Sequence, residues 1–327
     1  MNVSDKSPVE THAFRLTESL RSRSTFQVVL ECLIYGSISS TALFGNIFVL
    51  YVVYKSRRLR NVTGLFVVSL AMSDIALATL VAPQSFAALI AGRWTSGFIA
   101  CQLQGFVILF TVAVSLHTMA LMSIDRYFRV VRPMKHRSFF TLPRACFMVA
   151  SIWLFCLIYP IPYLASGRTY IFHPGKFLCL KEPELTFRAD FVYISLCISL
   201  AVLSFCYLNV FRHLRLNAKR VKNMRGASAA NDDNRRNIST EEIRLLRTLF
   251  VTVLGYLVCW TPVLIVDFIE KGAGYWLLSR GVYFFYTNIG LTSSSLSPII
   301  YGGLNRTFRR EYKKIFRFKK LSNQDEC

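Results

Sequence analysis

Two charged features stand where a charge is costly, inside or at the end of long apolar runs. Asp74 is the only charged residue between positions 61 and 92. A carboxylate at membrane depth usually marks a functional site, because the bilayer penalises charge. Asp74 could bind a cation there, or it could be neutralised by protonation with no functional role.

The second feature is Asp125-Arg126-Tyr127, which ends the uncharged run 94–124. An aspartate beside an arginine can hold the guanidinium at the membrane edge, and its release would let Arg126 meet a cytoplasmic partner. The alternative is that Arg126 only ends the run and extends its cation to the membrane surface.

The chain lacks the residue patterns of an enzyme. It contains no Ser/His/Asp set, no metal-binding cluster and no Gly-rich phosphate loop, and its five His are scattered at positions 12, 117, 136, 173 and 213. We therefore expect no catalytic activity. The net charge of +21 accompanies only 17% charged and 53% hydrophobic residues. Because apolar runs interrupt the basic residues, we expect membrane lipids and not nucleic acid as partners.

Those apolar runs predict seven membrane-spanning helices. Crossing the hydrocarbon core takes about 20 helical residues. Seven stretches are long enough, and only the second holds a charge: 32–54, 61–92, 94–124, 145–167, 191–211, 248–266 and 281–305. The predicted fold is an all-α membrane protein with a seven-helix bundle.

The basic residues also predict the orientation in the membrane. Of the 39 Lys and Arg, 28 fall in the loops and tail of one side, which should be cytoplasmic. The protein should thus be a multi-pass protein of the plasma membrane, with the C-terminus cytoplasmic and the N-terminus extracellular. Asn2 then lies in a glycosylation sequon on the extracellular side.

Cysteine positions predict one disulfide. Of nine Cys, only Cys101 and Cys179 meet the oxidising exterior in this topology. A bond between them would tie the loop after the fourth span to the third helix. The alternative is two free thiols.

A set of short motifs, in order along the spans, resembles the rhodopsin-like (class A) family of G protein-coupled receptors. The motifs are Gly45-Asn46, Leu70-Ala71-Met72-Ser73-Asp74, Asp125-Arg126-Tyr127, Trp153, Cys259-Trp260-Thr261-Pro262 and Ser297-Pro298-Ile299-Ile300-Tyr301. Within that family, stretches 59–71, 299–302 and 308–314 are most similar to melatonin receptors.

The resemblance implies roles for several of these residues. It implies an allosteric sodium ion, the only cofactor expected, held by oxygens of Asp74, Ser115, Ser293 and Ser297. It also implies a set of activation residues that couple the receptor to a heterotrimeric G protein, with arrestin as a further partner. This set is Asp125, Arg126, Tyr127, Tyr207, Glu242, Trp260, Pro262, Pro298 and Tyr301.

Two explanations remain open for Glu242. By resemblance, it could pair with Arg126 and close the inner face at rest. Alternatively, Ser239 and Glu242 have the spacing of a helix capping box.

The predicted domain limits follow from these segments. Residues 1–28 form an extracellular tail and residues 29–303 the receptor domain. Apolar residues at helical spacing between cations predict an amphipathic interfacial helix at 304–318. A short cytoplasmic tail, 319–327, follows it.

The ligand pocket should lie in the outer half of the bundle. Ile108 stands where amine receptors carry an acid, and the seventh span has no Lys for retinal. The predicted lining is Gln104, Ile108, Tyr163, Tyr193, Ser195, Trp260, Asp267 and Tyr286. This lining favours a small, largely neutral, aromatic or lipid-like ligand, with a melatonin-like molecule as one candidate. Signalling without a ligand and a seven-span transporter or channel are the alternatives.

Overall fold

The protein is almost entirely helical in the computed structural model, which describes residues 8–181, 187–224, 233–304 and 308–311. A short 3-10 turn, Arg57–Leu59, and a two-stranded hairpin interrupt the helices. In chain order the elements are α1 (Pro8–Arg21), α2 (Thr25–Lys55), α3 (Val62–Leu80), α4 (Ala82–Ala91), α5 (Gly97–Val131), α6 (Pro133–Phe139), α7 (Leu142–Cys156), α8 (Ile161–Ala165), β1 (Ile171–His173), β2 (Leu178–Leu180), α9 (Phe187–Met224), α10 (Asp233–Ala273) and α11 (Arg280–Leu304).

Side chains set the starts of the first long helices. The Ser24 hydroxyl accepts a hydrogen bond from the Gln27 N–H at 3.3 Å, at the start of α2. The Asn61 side chain accepts one from the Gly64 N–H at 3.0 Å, at the start of α3. Each bond satisfies a backbone donor that has no partner within the helix.

Within the described ranges, six helical segments are long and apolar enough to cross a membrane: Thr25–Lys55, Val62–Ala91, Gly97–Val131, Leu142–Ala165, Ile194–His213 and Val253–Ala273. The seventh long helix, α11, is more polar because it carries Ser at 293, 294, 295 and 297. It packs between α2 and α10, while α5 packs against α3 and α9. The predicted all-α fold with a seven-helix bundle is confirmed.

The largest apolar cluster of the described residues joins most helices of the bundle and forms its main core. Its members include Phe66 of α3, Val114 and Met119 of α5, Leu203 of α9 and Tyr256 of α10, all buried. Three smaller clusters of buried apolar residues are separate from it.

A hairpin covers the outer end of the bundle. Strand β1 pairs antiparallel with β2, and Phe172 lies opposite Cys179. A disulfide joins Cys179 to Cys101 at the outer end of α5. At the hairpin turn, Gly175 lies so close to Tyr283 that a Cβ there would meet its ring at 2.5 Å.

The N-terminal segment contains a helix that packs on the bundle. Leu16 and Leu20 of α1 are buried, and Leu16 contacts an apolar cluster with Val266 and Tyr283. After α1, Arg23 pairs with Glu31 at 2.8 Å. The described part of the predicted tail 1–28 is therefore docked against the outer ends of the bundle's helices. Of the predicted interfacial helix 304–318, residues 308–311 are described; they are helical, and Phe308 is buried.

Candidate functional site

A cavity of about 190 Å³ lies in the outer half of the bundle, below the hairpin. Helices α3, α5, α9, α10 and α11 contribute side chains to it, and Trp260 lines its inner part. Most of the lining is aliphatic or aromatic, which suits an apolar ligand body. Four residues of the predicted lining are present: Ile108, Trp260, Asp267 and Tyr286.

Three other residues of the predicted lining lie elsewhere. Gln104 is buried in structural hydrogen bonds, with its amide oxygen accepting from the Cys179 N–H at 2.7 Å. Tyr163 donates to the Thr169 carbonyl at 3.1 Å, outside the cavity lining. Ser195 faces His117, at 3.2 Å, between α5 and α9. The sequence placed these three residues at the level of the cavity, but their side chains point toward other neighbours. The side chain of Tyr193 lies outside the described part.

The charges of the cavity differ from the prediction of a neutral lining with one acid. Asp267 and Glu270, on consecutive turns of α10, both line it. Lys176, from the hairpin turn, places its Nζ 2.7 Å from Glu270 Oε2 and 3.3 Å from Asp267 Oδ1. Lys181 and Lys271 also line the cavity. Burial lowers the pKa of Lys181 to about 8, against the attraction of Asp267.

His173 on β1 supports the hairpin turn from inside. Its Nδ1 accepts hydrogen bonds from the N–H groups of Gly175 and Lys176, at 3.1 and 3.2 Å. The proton of the neutral ring must therefore lie on Nε2, which is 3.5 Å from Glu270 Oε1. Complete burial lowers the pKa of His173 to about 4, although Glu270 opposes this shift.

Trp260 connects the cavity to the inner half of the bundle. Its indole Nε1 donates to the Ser293 hydroxyl at 3.1 Å, which links α10 to α11. Pro262, two residues further along α10, leaves one backbone carbonyl without its helical donor. A change in side-chain packing at Trp260 thus acts on α10 close to Pro262, where the helix lacks one backbone hydrogen bond.

Asp74 and the predicted sodium ligands form a buried polar layer below Trp260. Asp74, Ser115, Ser293 and Ser297 are all buried. Ser294, which the sequence did not single out, lies near the Asp74 carboxylate; Ser115 hydrogen-bonds to Ser73 at 2.8 Å. One carboxylate among hydroxyls is a donor set of hard oxygens, and it fits a hard cation. No cluster of three or more His, Cys, Asp or Glu that could hold a metal occurs among the described residues.

At the inner face, Arg126 is buried and held by two partners. Its Nη2 donates to the Thr63 hydroxyl of α3 at 2.7 Å, and its Nε lies 3.6 Å from Asp125 Oδ2. With 2% of its surface exposed, Arg126 is inaccessible from outside the bundle in this conformation.

Asp125 has a shorter contact that the sequence analysis missed. His136 of α6 places its Nε2 2.8 Å from Asp125 Oδ1. Arg129 is also near Asp125, at 3.6 Å. The segment between α5 and α7 is thereby attached to the same carboxylate that holds Arg126. No motif in the sequence signals this pair.

The structure describes most of the remaining predicted activation residues. Tyr207 and Tyr301 are buried, and Tyr301 stacks on Phe308 with ring centroids 5.4 Å apart. Tyr127 contacts the ring of Phe205. Pro298 lies inside α11, against α2. The Glu242 side chain and Asn2 lie outside the described part of the chain, so the ion pair and the sequon stay predictions. The capping box is wrong, because α10 begins at Asp233 and Ser239 therefore lies inside the helix, not at its start.

A seven-helix bundle with an outer cavity and a buried inner arginine defines the class of seven-helix membrane receptors. Residues 45–301 match the family described as 7 transmembrane receptor (rhodopsin family). The chain belongs to this family. The predicted family is confirmed, and so is the expectation of a receptor and not an enzyme.

Individual proteins agree with this assignment. The chain is 28% identical to "Melatonin receptor type 1A" of Gallus gallus, over 84% of this chain and 76% of the relative. It is 27% identical to "Neuromedin-K receptor" of Cavia porcellus, over 91% of this chain and 68% of the relative. A crystal structure of squid rhodopsin superposes with a TM-score of 0.78 at 21% identity, covering 90% of this chain and 87% of that one.

Proposed function

We propose that this receptor binds a small extracellular ligand in its outer cavity and activates heterotrimeric G proteins at its inner face. The observation that carries the proposal is the pairing of two sites in one bundle: a cavity lined by Trp260, and a buried Arg126 held by Asp125 and Thr63. A ligand that prefers another packing of α10 would shift the population toward a state that releases Arg126.

The ligand should present an aromatic or lipid-like body. Ile108, Leu109, Val112, Val263 and Leu291 give the cavity a mostly apolar lining. Melatonin receptors are among the relatives, and a melatonin-like molecule would match this part of the cavity. The charged rim formed by Asp267 and Glu270 adds a second requirement, which the prediction of a wholly neutral ligand did not include.

Three further parts of the proposal follow from the family and from the buried layer at Asp74. A sodium ion held by Asp74, Ser115, Ser293 and Ser297 would favour the resting packing, since it would tie together α3, α5 and α11. The receptor would act in the plasma membrane, with its basic face toward the cytoplasm and the inner leaflet. Arrestin would bind the same inner face as the G protein.

The test of the function is nucleotide exchange on purified heterotrimeric G proteins by the receptor in lipid nanodiscs. Wild-type receptor, alone or with a tissue extract as stimulus, should accelerate exchange on at least one heterotrimer. Arg126→Ala should reduce that acceleration roughly tenfold. Arg60→Ala is the matched control: Arg60 is a cytoplasmic arginine that is exposed and bonds to the Tyr54 carbonyl. Equal exchange by wild type and Arg126→Ala would overturn the proposal.

A further inference from the structure

The ammonium group of Lys176 sits in a cage built by two other elements. Carboxylates of Asp267 and Glu270 on α10 approach its Nζ at 3.3 and 2.7 Å. The Tyr286 ring of α11 lies with its centroid 4.0 Å from the same nitrogen, and the Tyr283 ring at 5.4 Å. Acceptors on one side and aromatic faces on the other are the surroundings that an alkylammonium ion requires.

The cage is organised independently of the lysine that fills it. The Tyr286 hydroxyl donates to Asp267 Oδ1 at 2.9 Å, which fixes one carboxylate against one ring. Glu270 is 5% exposed; its Oε2 accepts from Lys176, and its Oε1 faces the Nε2–H of His173 at 3.5 Å. Each carboxylate of the cage therefore has a neighbour besides Lys176 that holds it in place.

The occupant reaches the cage from the hairpin. Lys176 lies at the turn between β1 and β2, and its carbonyl accepts a hydrogen bond from Thr287 of α11 at 3.0 Å. The walls therefore belong to the bundle, whereas the cation belongs to a loop that covers it. Both carboxylates and Lys176 also line the outer cavity, so a bound ligand can reach the cage.

We propose that the Asp267–Glu270–Tyr286 cage is a binding site for the primary ammonium group of an extracellular ligand, and that Lys176 is its built-in occupant, which such a ligand displaces. The proposal rests on the proposed function only in taking the cavity as the ligand site. The proposed ligand then carries a cationic group in addition to its apolar body. The counter-ions of that group lie on α10, since Ile108 on α5 carries no charge.

The test is chemical complementation of Lys176→Ala. n-Propylammonium reproduces the part of the lysine side chain that this substitution removes. Receptor purified in nanodiscs should show a lower apparent Tm for Lys176→Ala than for wild type. Propylammonium at about 100 mM should then raise the Tm of the variant by about 3 °C, because a ligand that binds only the folded state stabilises it. 1-Propanol, the neutral analogue, should not.

Three controls make the result specific. Wild type should not respond to propylammonium, because Lys176 already fills the cage. The double variant Lys176→Ala/Glu270→Gln should lose the response, since the cage then lacks its closest carboxylate. Lys271→Ala, which removes another lysine of the cavity lining, should show no response. If Lys176→Ala does not fold, Lys176→Ser, which also leaves room for the propyl group, takes its place under the same criteria.

An equal Tm in propylammonium and propanol for the folded variant would overturn the proposal, and so would an equal response of wild type and variant. The readout involves no G protein. A receptor that fails to couple can therefore still pass this test, and one that fails it can still couple.

Discussion

Several buried charged side chains at the outer end of the bundle occur in groups whose members come from different elements. Glu31 of α2 pairs with Arg280 of α11 at 2.6 Å and with Arg23 at 2.8 Å. Lys176 joins the hairpin to α10 in the same manner. Removing one member of such a group leaves an uncompensated buried charge, which costs far more than the intact pair contributes. These groups fix how the outer ends of the helices meet.

At this scale we predict a pH dependence that depends on His173. Its pKa of about 4 lies below the ordinary value of about 6.5. Between these values the unfolded chain binds a proton that the folded chain does not, so stability falls as the pH falls through this window. The loss attributable to His173 should reach about 3 kcal/mol near pH 4. The groups that face the ring are Glu270, Lys176, Trp276 and Tyr283.

The measurement is the apparent Tm of wild type and His173→Asn from pH 7 to pH 4.5. Asparagine keeps an acceptor for the two backbone N–H groups of the turn but does not titrate in this range. Acidic groups away from the ring titrate equally in both proteins, so the difference between the two curves reports His173 together with its neighbour Glu270. Parallel curves would contradict the assignment.

At the scale of elements, close helix contacts depend on single small residues. Gly45 of α2 faces Pro298 of α11, and a Cβ at position 45 would meet the proline Cγ at 2.6 Å and Cβ at 2.9 Å. The same two helices are joined by Asn46, whose Nδ2 donates to the Ser294 carbonyl at 3.0 Å. The apolar run showed that α2 exists, but it did not show which of its faces meets α11.

We predict that Gly45→Ala destabilises the receptor by about 1–3 kcal/mol, because the added methyl group overpacks this contact. Gly303→Ala in α11 is the control, since a Cβ there meets nothing within 4 Å. It should be neutral or slightly stabilising, as alanine favours the helix. Thermal unfolding of both variants checks the prediction; equal stability of the two would show that α2 and α11 tolerate a wider separation.

At the scale of the whole molecule, the outer cavity and the inner arginine are connected through α5. This helix carries Ile108 in the cavity lining and Arg126 at the inner face. Met119 lies between them and packs in the main core of the bundle. A densely packed core transmits small displacements, because its side chains have few alternative arrangements. The two sites can thus influence each other without a flexible linker between them.

The orientation of the molecule gives the last prediction. Because 28 of the 39 Lys and Arg fall on one side, that side should face the cytoplasm. An epitope tag before Met1 should be accessible to antibody on intact cells, and a tag after Cys327 only after permeabilisation. Access to both tags on intact cells would contradict seven crossings of the membrane.

The sequence by itself determined the class of the protein, since the length of an apolar run and a short motif are local properties of the chain. It predicted the helices, the family, Cys101 with Cys179, and Arg126 as an inner charge. Only the tertiary structure decided the partners of those residues. Lys176 meets Asp267 and Glu270 across 91 and 94 residues of chain, and Arg126 meets Thr63 across 63. Such contacts depend on the rotation and packing of whole helices, and a local sequence motif does not determine either.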